Sequence, residues 1–238
     1  MNTVVADITY RAMLGRRRVL LLVLLPLSLI GVAVLLRVIG DVGERGAVTL
    51  MQSFAIGTML PLLGLIAGTG VIAPEIDDGT ILHLLSKPIP RPVIAYTKFA
   101  VATSLLVVFG AVPTFLAAYL LVRGEAGIAY GFALGALVGG VAYAAVFLLM
   151  GVLTRHAVTI GIIYALVWEG LVGSFVPGAR TFSIQQWAQS VADQISTSAF
   201  LKTDVSLSFA VPAMIVVTVG AVVWAGQRLR SLSLTGDE

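Results

Sequence analysis

Six long apolar stretches follow one another along the chain and are separated by short polar or charged segments. They cover residues 19–39, 49–73, 95–122, 128–153, 157–176 and 207–225. A helix that crosses a bilayer needs about 20 mostly apolar residues. Each stretch therefore predicts one membrane-spanning helix. The pattern predicts an all-α integral membrane protein, with residues 1–238 forming a single six-span domain.

The segment before the first span has a weaker helical pattern. Val4 or Val5, Ile8 and Ala12 recur on one side, whereas Asp7 and Arg11 lie elsewhere around the helix. This spacing predicts an N-terminal helix at the membrane interface. An N-terminal extension without a fixed helix is the alternative.

A second amphipathic pattern lies between the fifth and sixth spans. Ile184, Trp187, Val191 and Ile195 repeat at intervals of three and four residues, and Ser183 precedes them as a suitable N-cap. We expect a short outer-side helix here, against the outer leaflet or on top of the bundle. Whether it gates a pathway or is an ordinary surface helix is open.

Composition supports the membrane class, because 58% of the residues are hydrophobic and only 11% are charged. Soluble proteins carry roughly 25% charged residues. Cysteine is absent, so disulfides, thiolate metal sites and cysteine nucleophiles are excluded. No Gly-x-x-x-x-Gly-Lys-Ser/Thr motif occurs. We therefore expect no enzymatic activity from this chain, no bound cofactor or metal, and no nucleic-acid partner.

Basic residues near the spans are unevenly distributed between the two sides. Six spans place both termini on one side, and most of the lysines and arginines fall there. That group comprises Arg11, Arg16, Arg17, Arg18, Lys87, Arg91, Lys98, Arg155, Arg228 and Arg230. Basic loops stay in the cytoplasm, so we expect a multi-pass protein of the inner (plasma) membrane with both termini cytoplasmic.

The most distinctive polar segment runs from Glu75 to Lys98. Asp77 and Asp78 suit a helix start, and Gly79 and Thr80 allow a sharp turn. A short apolar ridge follows, bracketed by prolines; it consists of Ile81, Leu82, Leu84 and Leu85. Such a ridge suits insertion into a groove of a partner protein. A loop that lies on the lipid headgroups is the alternative.

This segment contains, in order, an acidic residue, Gly-Thr, a leucine-rich turn, Ser-Lys-Pro-Ile-Pro-Arg and then Lys98. In this pattern it resembles the type-2 ABC exporter permeases. The resemblance implies a cytoplasmic coupling helix on a separate ATPase subunit. The residues implicated in coupling are Glu75, Asp77, Asp78, Gly79, Thr80, Ile81, His83, Leu84, Leu85 and Arg91. Among them, Asp77 to Leu85 would contact the ATPase, whereas Glu75, Arg91 and Lys98 would anchor the loop to the bundle.

The same resemblance implies the partners. Two copies of an ABC ATPase, which bind ATP and Mg, would associate with two permease chains, as a homodimer or as a heterodimer with a similar chain, among membrane lipids. Related exporters line the pathway with spans two and five, and short helices between spans five and six cap it outside. Candidate pathway residues are Phe54, Met59, Tyr164, Trp168, Glu169 and Phe175.

Glu169 is the one acid inside a predicted span. An ionisable group at such depth is costly, and it normally pairs with another group or faces an aqueous cavity. Arg37 is the nearest candidate by depth. We therefore expect Glu169 either to pair with Arg37 or to line the pathway beside Trp168.

Span four carries Gly131, Gly135 and Gly139 at intervals of four residues. Small residues allow helices to approach closely within a membrane. The stripe favours packing inside the protomer over a dimer seam.

The sequence thus predicts a permease subunit of an ATP-driven ABC transporter, exporting an amphipathic or hydrophobic substrate. An ion-coupled secondary transporter and a noncatalytic membrane scaffold are the alternatives. An intramembrane serine protease is not supported, because His83 and His156, the two histidines, both fall in predicted cytoplasmic loops.

Overall fold

The computed structural model describes residues 3–40, 43–73, 75, 90–122, 126–172 and 177–231. Every regular element within these residues is a helix. Five of the described helices are long and apolar enough to cross a membrane. The all-helical class is confirmed, and these five helices correspond to predicted spans one to four and six.

The helices are α1 (Thr3–Met13), α2 (Arg16–Ile39), α3 (Gly43–Gly70), α4 (Arg91–Leu121), α5 (Ala126–Leu153), α6 (residues 157–172), α7 (Pro177–Arg180), α8 (Ile184–Ile195) and α9 (Leu207–Ser231). Three stretches have the wider π-helical winding: Met51–Met59 in α3, Val107–Ala111 in α4 and Tyr164–Val172 in α6. Such winding is rare and frequently occurs at functional sites.

Helix α5 is central to the bundle and packs extensively against α3, α8 and α9. Helices α3 and α5 run in the same direction, because Gly64 lies against Tyr143 and Gly68 against Phe147. We call the end with Gly70, Arg91 and Leu153 the loop end, and the end with Gly43, Ala126 and Leu207 the far end.

The start of α3 differs from the prediction. A polar loop was expected over residues 41–47, but the helix begins at Gly43. Its first turns pack into the protein, with Ala47 and Val48 buried, and the Ser198 hydroxyl donates a hydrogen bond to the Glu44 carboxylate. Tertiary contacts therefore extend the helix beyond its most apolar part.

Helix α1 is present, and Val5, Thr9 and Met13 form its buried face against α4. Of the predicted apolar positions, Val5 is buried, whereas Val4 and Ile8 are 58% and 45% exposed. The face of α1 that packs on the bundle therefore includes a threonine, whose hydroxyl donates to the carbonyl of Val5 within the helix. The placement of α1 at the membrane interface stays a prediction.

The fifth predicted span, residues 157–176, is helical over residues 157–172. Its described apolar stretch, Ala157–Gly170, is shorter than the roughly 20 residues that a crossing needs, so its full length stays a prediction. Residues 173–176 lie outside the described part of the chain. Helix α6 starts at the loop end, where Gly161 lies against Leu65 and Phe147.

Helix α8 begins inside the bundle rather than on top of it, so its predicted placement was wrong. Gln185, in its first turn, lies against Gly57 near the middle of α3. Ser196, which follows the last residue of α8, lies against Gly131 near the far end of α5. The glycine stripe of α5 explains this packing, because it leaves room for the α8 backbone.

A methyl group on the glycine stripe is expected to destabilise the fold. An added Cβ at Gly135 would lie 2.6 Å from the Ala188 carbonyl oxygen in α8, so the two helices must separate. We expect Gly135→Ala to lower the free energy of unfolding by about 2 kcal/mol, seen as a lower melting temperature in detergent. Gly220→Ala in α9 is the matched control, because its added Cβ has no atom of another described element within 4 Å. Equal melting temperatures for the two variants would contradict this packing.

Candidate functional site

Glu169 forms the centre of a buried polar cluster where α6 meets α8. Its side chain is in the π-helical part of α6, and the residue is only 4% exposed. The Tyr164 hydroxyl, one turn earlier, donates a hydrogen bond of 2.8 Å to Oε1. The Ser183 hydroxyl donates to Oε2. Both carboxylate oxygens are thereby engaged by side chains of the protomer itself.

The same carboxylate also binds the start of α8. The backbone N–H of Ile184 donates to Oε1 at 3.1 Å, and that of Gln185 donates to Oε2 at 3.3 Å. The first N–H groups of a helix have no partner within the helix, and a carboxylate stabilises the positive end of the helix dipole. Glu169 thus accepts hydrogen bonds from the first N–H groups of a helix that begins inside an apolar bundle.

Ser183 links the carboxylate to the N-cap of α8. Its hydroxyl oxygen accepts a hydrogen bond from the backbone N–H of Gln186 at 3.3 Å while donating to Glu169. The prediction of Ser183 as an N-cap is confirmed. Further along α8, the Gln189 side chain donates to the carbonyl of Gln52 in α3 at 3.3 Å. This hydrogen bond joins α8 to α3.

The expected ion pair between Glu169 and Arg37 is not found, and that prediction was wrong. Arg37 donates instead to the backbone carbonyl of Leu120 at 3.1 Å, near the far end of α4. All the partners of Glu169 described above are hydrogen-bond donors, and two of them are backbone groups. The expectation from the sequence considered only a charged side chain as the partner, so these donors were not predicted.

Tyr143 closes one side of this cluster. Its side chain is fully buried in α5, and its hydroxyl lies close to the Glu169 carboxylate and to Tyr164. Its ring stacks on Phe147, which in turn contacts the Tyr164 ring edge-on. The cluster therefore joins α5, α6 and α8 at one level of the bundle.

At the loop end, Glu75 and Lys98 form a buried ion pair. The Lys98 ammonium lies 2.6 Å from Glu75 Oε1 and also donates to the carbonyl of Val71 at the end of α3. The Lys98 side chain is fully buried, and that of Glu75 is 23% exposed. The pair joins the residues that follow α3 to the first half of α4.

Arg91 anchors the other end of the segment between Glu75 and Arg91. Its guanidinium donates to the carbonyls of Leu229 and Arg230, at 3.2 Å and 2.7 Å, in the last turn of α9. Cationic donors are favourable at a helix C-terminus because the carbonyls there lack helical partners. The coupling role expected of Glu75, Arg91 and Lys98 stays a prediction.

The predicted ATPase-contacting residues lie outside the described part of the chain. They are Asp77, Asp78, Gly79, Thr80, Ile81, His83, Leu84 and Leu85, and their coupling role stays a prediction.

The candidate pathway residues are divided between the surface and the core. Trp168 is 37% exposed, and its indole N–H points to the Phe182 carbonyl at 3.5 Å. Met59 is fully buried, and Phe54 packs partly buried against the main core. Tyr164 belongs to the Glu169 cluster. Phe175 lies outside the described residues.

Comparison with known proteins identifies the family. A model of the family described as ABC-2 family transporter protein matches residues 14–178, well over half of the chain. The match includes α2 to α6 and the segment between Glu75 and Arg91. None of the curated proteins compared with this chain matches it. The chain belongs to the ABC-2 transporter family and is a multi-pass membrane permease of an ABC transporter.

Proposed function

We propose that this chain is the membrane half of an ATP-driven exporter of amphipathic or hydrophobic substrates. Two permease chains bind two separate ATPase subunits, and ATP and Mg are held by those subunits. This chain itself catalyses no reaction. Both termini and the segment 75–91 lie in the cytoplasm, and the protein spans the inner (plasma) membrane.

The observation that carries the coupling proposal is the fixation of both ends of this segment. Glu75 is held by Lys98 of α4 and Arg91 by the end of α9. A displacement of residues 76–89 by an ATPase would therefore act directly on α3, α4 and α9. Lys98 is fully buried, so this connection reaches into the interior of the bundle.

In this proposal α6 and α8 together make the fifth of six crossings. α6 starts at the loop end and carries Glu169, whose carboxylate meets the start of α8, and α8 continues from there to the far end. The π-helical segments Met51–Met59 and Tyr164–Val172 contact each other. They belong to the two spans expected to line the pathway, which supports placing the substrate route along them.

In an ion-coupled transporter, a helix that starts within the membrane has a different role. In such proteins the N-terminus of a broken helix holds an anionic group of the substrate. Here Glu169 already accepts from the N–H groups of Ile184 and Gln185. The Glu169 carboxylate therefore occupies the position that an anionic group of a substrate would take, which favours the ATP-driven alternative.

Site-specific cross-linking tests the proposed coupling. The chain contains no cysteine, so Leu84→Cys introduces a single thiol into the apolar ridge. We expect a thiol-to-amine cross-linker to join this variant to an ATPase subunit in native membranes. Lys202→Cys, in the exposed segment before α9 at the far end, is the control and should give no such product. Failure of Leu84→Cys in a complex that still contains the ATPase would contradict the coupling role.

A further inference from the structure

A groove of about 760 Å³ opens between α2, α3 and α6 at the loop end. Its volume is within the range of roughly 300–1,000 Å³ that is usual for ligand pockets. The walls are mostly leucine and isoleucine side chains, including Leu24, Leu65 and Ile162. Among the described lining residues, Arg18 is the charged one. The described lining residues include no member of the Glu169 cluster or of the Glu75–Lys98 pair, and none of the candidate pathway residues.

Arg18 retains hydrogen-bonding capacity for a ligand. Its Nη1 donates to the Gly70 carbonyl at 3.2 Å, which holds the side chain against the end of α3. Within the described residues, no carboxylate lies within ion-pair distance of Arg18. A guanidinium carries five N–H donors in a planar fork, and this geometry matches a phosphate.

The walls below Arg18 favour a hydrocarbon chain over water. Leu21 and Leu24 are 51% and 64% exposed, although both line the groove. Ile162, which lines it from α6, is 40% exposed. The Arg18 guanidinium near the start of a spanning helix, followed by apolar walls, has the polarity of a membrane lipid: a charged head and an acyl tail.

We propose that this groove binds an anionic phospholipid from the surrounding bilayer. The phosphate binds the Arg18 guanidinium, and one acyl chain lies against the leucines of α2 and α3 and Ile162 of α6. Basic pockets between membrane helices are known to select anionic headgroups. The charge of Arg18 favours an anionic lipid over a zwitterionic one, and the apolar walls favour a lipid over a free phosphate ion.

The test compares lipid retention by the purified complex, measured by native mass spectrometry with added phosphatidylglycerol or phosphatidylcholine of identical acyl chains. The unmodified protein should retain phosphatidylglycerol preferentially. Arg18→Gln should weaken that retention roughly fivefold. Arg155→Gln, which removes an exposed cation near the same end, should leave it unchanged.

A second pair of variants keeps every charge and tests the acyl-chain site. Ile162→Trp should fill the groove and abolish the preference, whereas Ile163→Trp is the control. Ile163 is 55% exposed but does not line the groove. Equal losses for Arg18→Gln and Arg155→Gln would overturn the proposal, because a diffuse surface charge would then explain the preference. Full retention by a folded Ile162→Trp variant would overturn it as well.

Discussion

Replacement of Glu169 by glutamine is expected to destabilise the folded protein by about 3 kcal/mol. The carboxylate accepts hydrogen bonds from Tyr164, Ser183, Ile184 and Gln185. A glutamine amide directs two N–H groups at a site made of donors and leaves several of them without an acceptor. We expect a clearly lower melting temperature in detergent and a smaller yield of monodisperse protein.

Two controls define the origin of this loss. Ser183→Ala removes one donor and the α8 N-cap, and should cost about 1 kcal/mol. Asp7→Asn removes an acid whose side chain is 61% exposed, and should leave stability unchanged. A Glu169→Gln variant that is as stable as the original protein but defective in transport would contradict the structural role and favour a pathway role.

Replacement of Lys98 by methionine is expected to cost about 3–5 kcal/mol, because it leaves the Glu75 carboxylate without its cation. Lys98 is fully buried and lies 2.6 Å from Glu75 Oε1. The change also removes the donor to the Val71 carbonyl. Chemical denaturation in mild detergent, monitored by tryptophan fluorescence, measures this cost.

A double-mutant cycle isolates the ion pair from the loss of packing. Glu75→Gln in the Lys98→Met background removes the unpaired charge, so the double variant should be more stable than Lys98→Met alone. If the two losses simply add, the sites do not interact, and the proposed connection between the segment and the bundle is wrong.

Most of the architecture follows from local properties of the sequence. Long apolar stretches predict spans because a bilayer leaves the backbone few alternatives to a helix. Helix α8 was predicted from the spacing of Ile184 and Trp187 with Ser183 before them, and it is present. The glycines at 131, 135 and 139 indicated close packing within the protomer, and they contact α8.

The rest depends on how distant segments meet. Two of the four partners described for Glu169 are backbone groups that lie 15 and 16 residues further along the chain, and backbone donors leave no signature in a sequence. The position of α8 inside the bundle was missed for a similar reason, because it is set by packing on α3 and α5.

Purification of the tagged chain from its native membranes in mild detergent tests the central claim most directly. The protein that accompanies it is identified by mass spectrometry, and the preparation is assayed for ATP hydrolysis. The account predicts an equimolar Walker-motif ATPase and hydrolysis that is lost when Gly79, Thr80 and Leu84 are replaced. Recovery of the chain without any ATPase, in a preparation that preserves other ABC complexes, would contradict it.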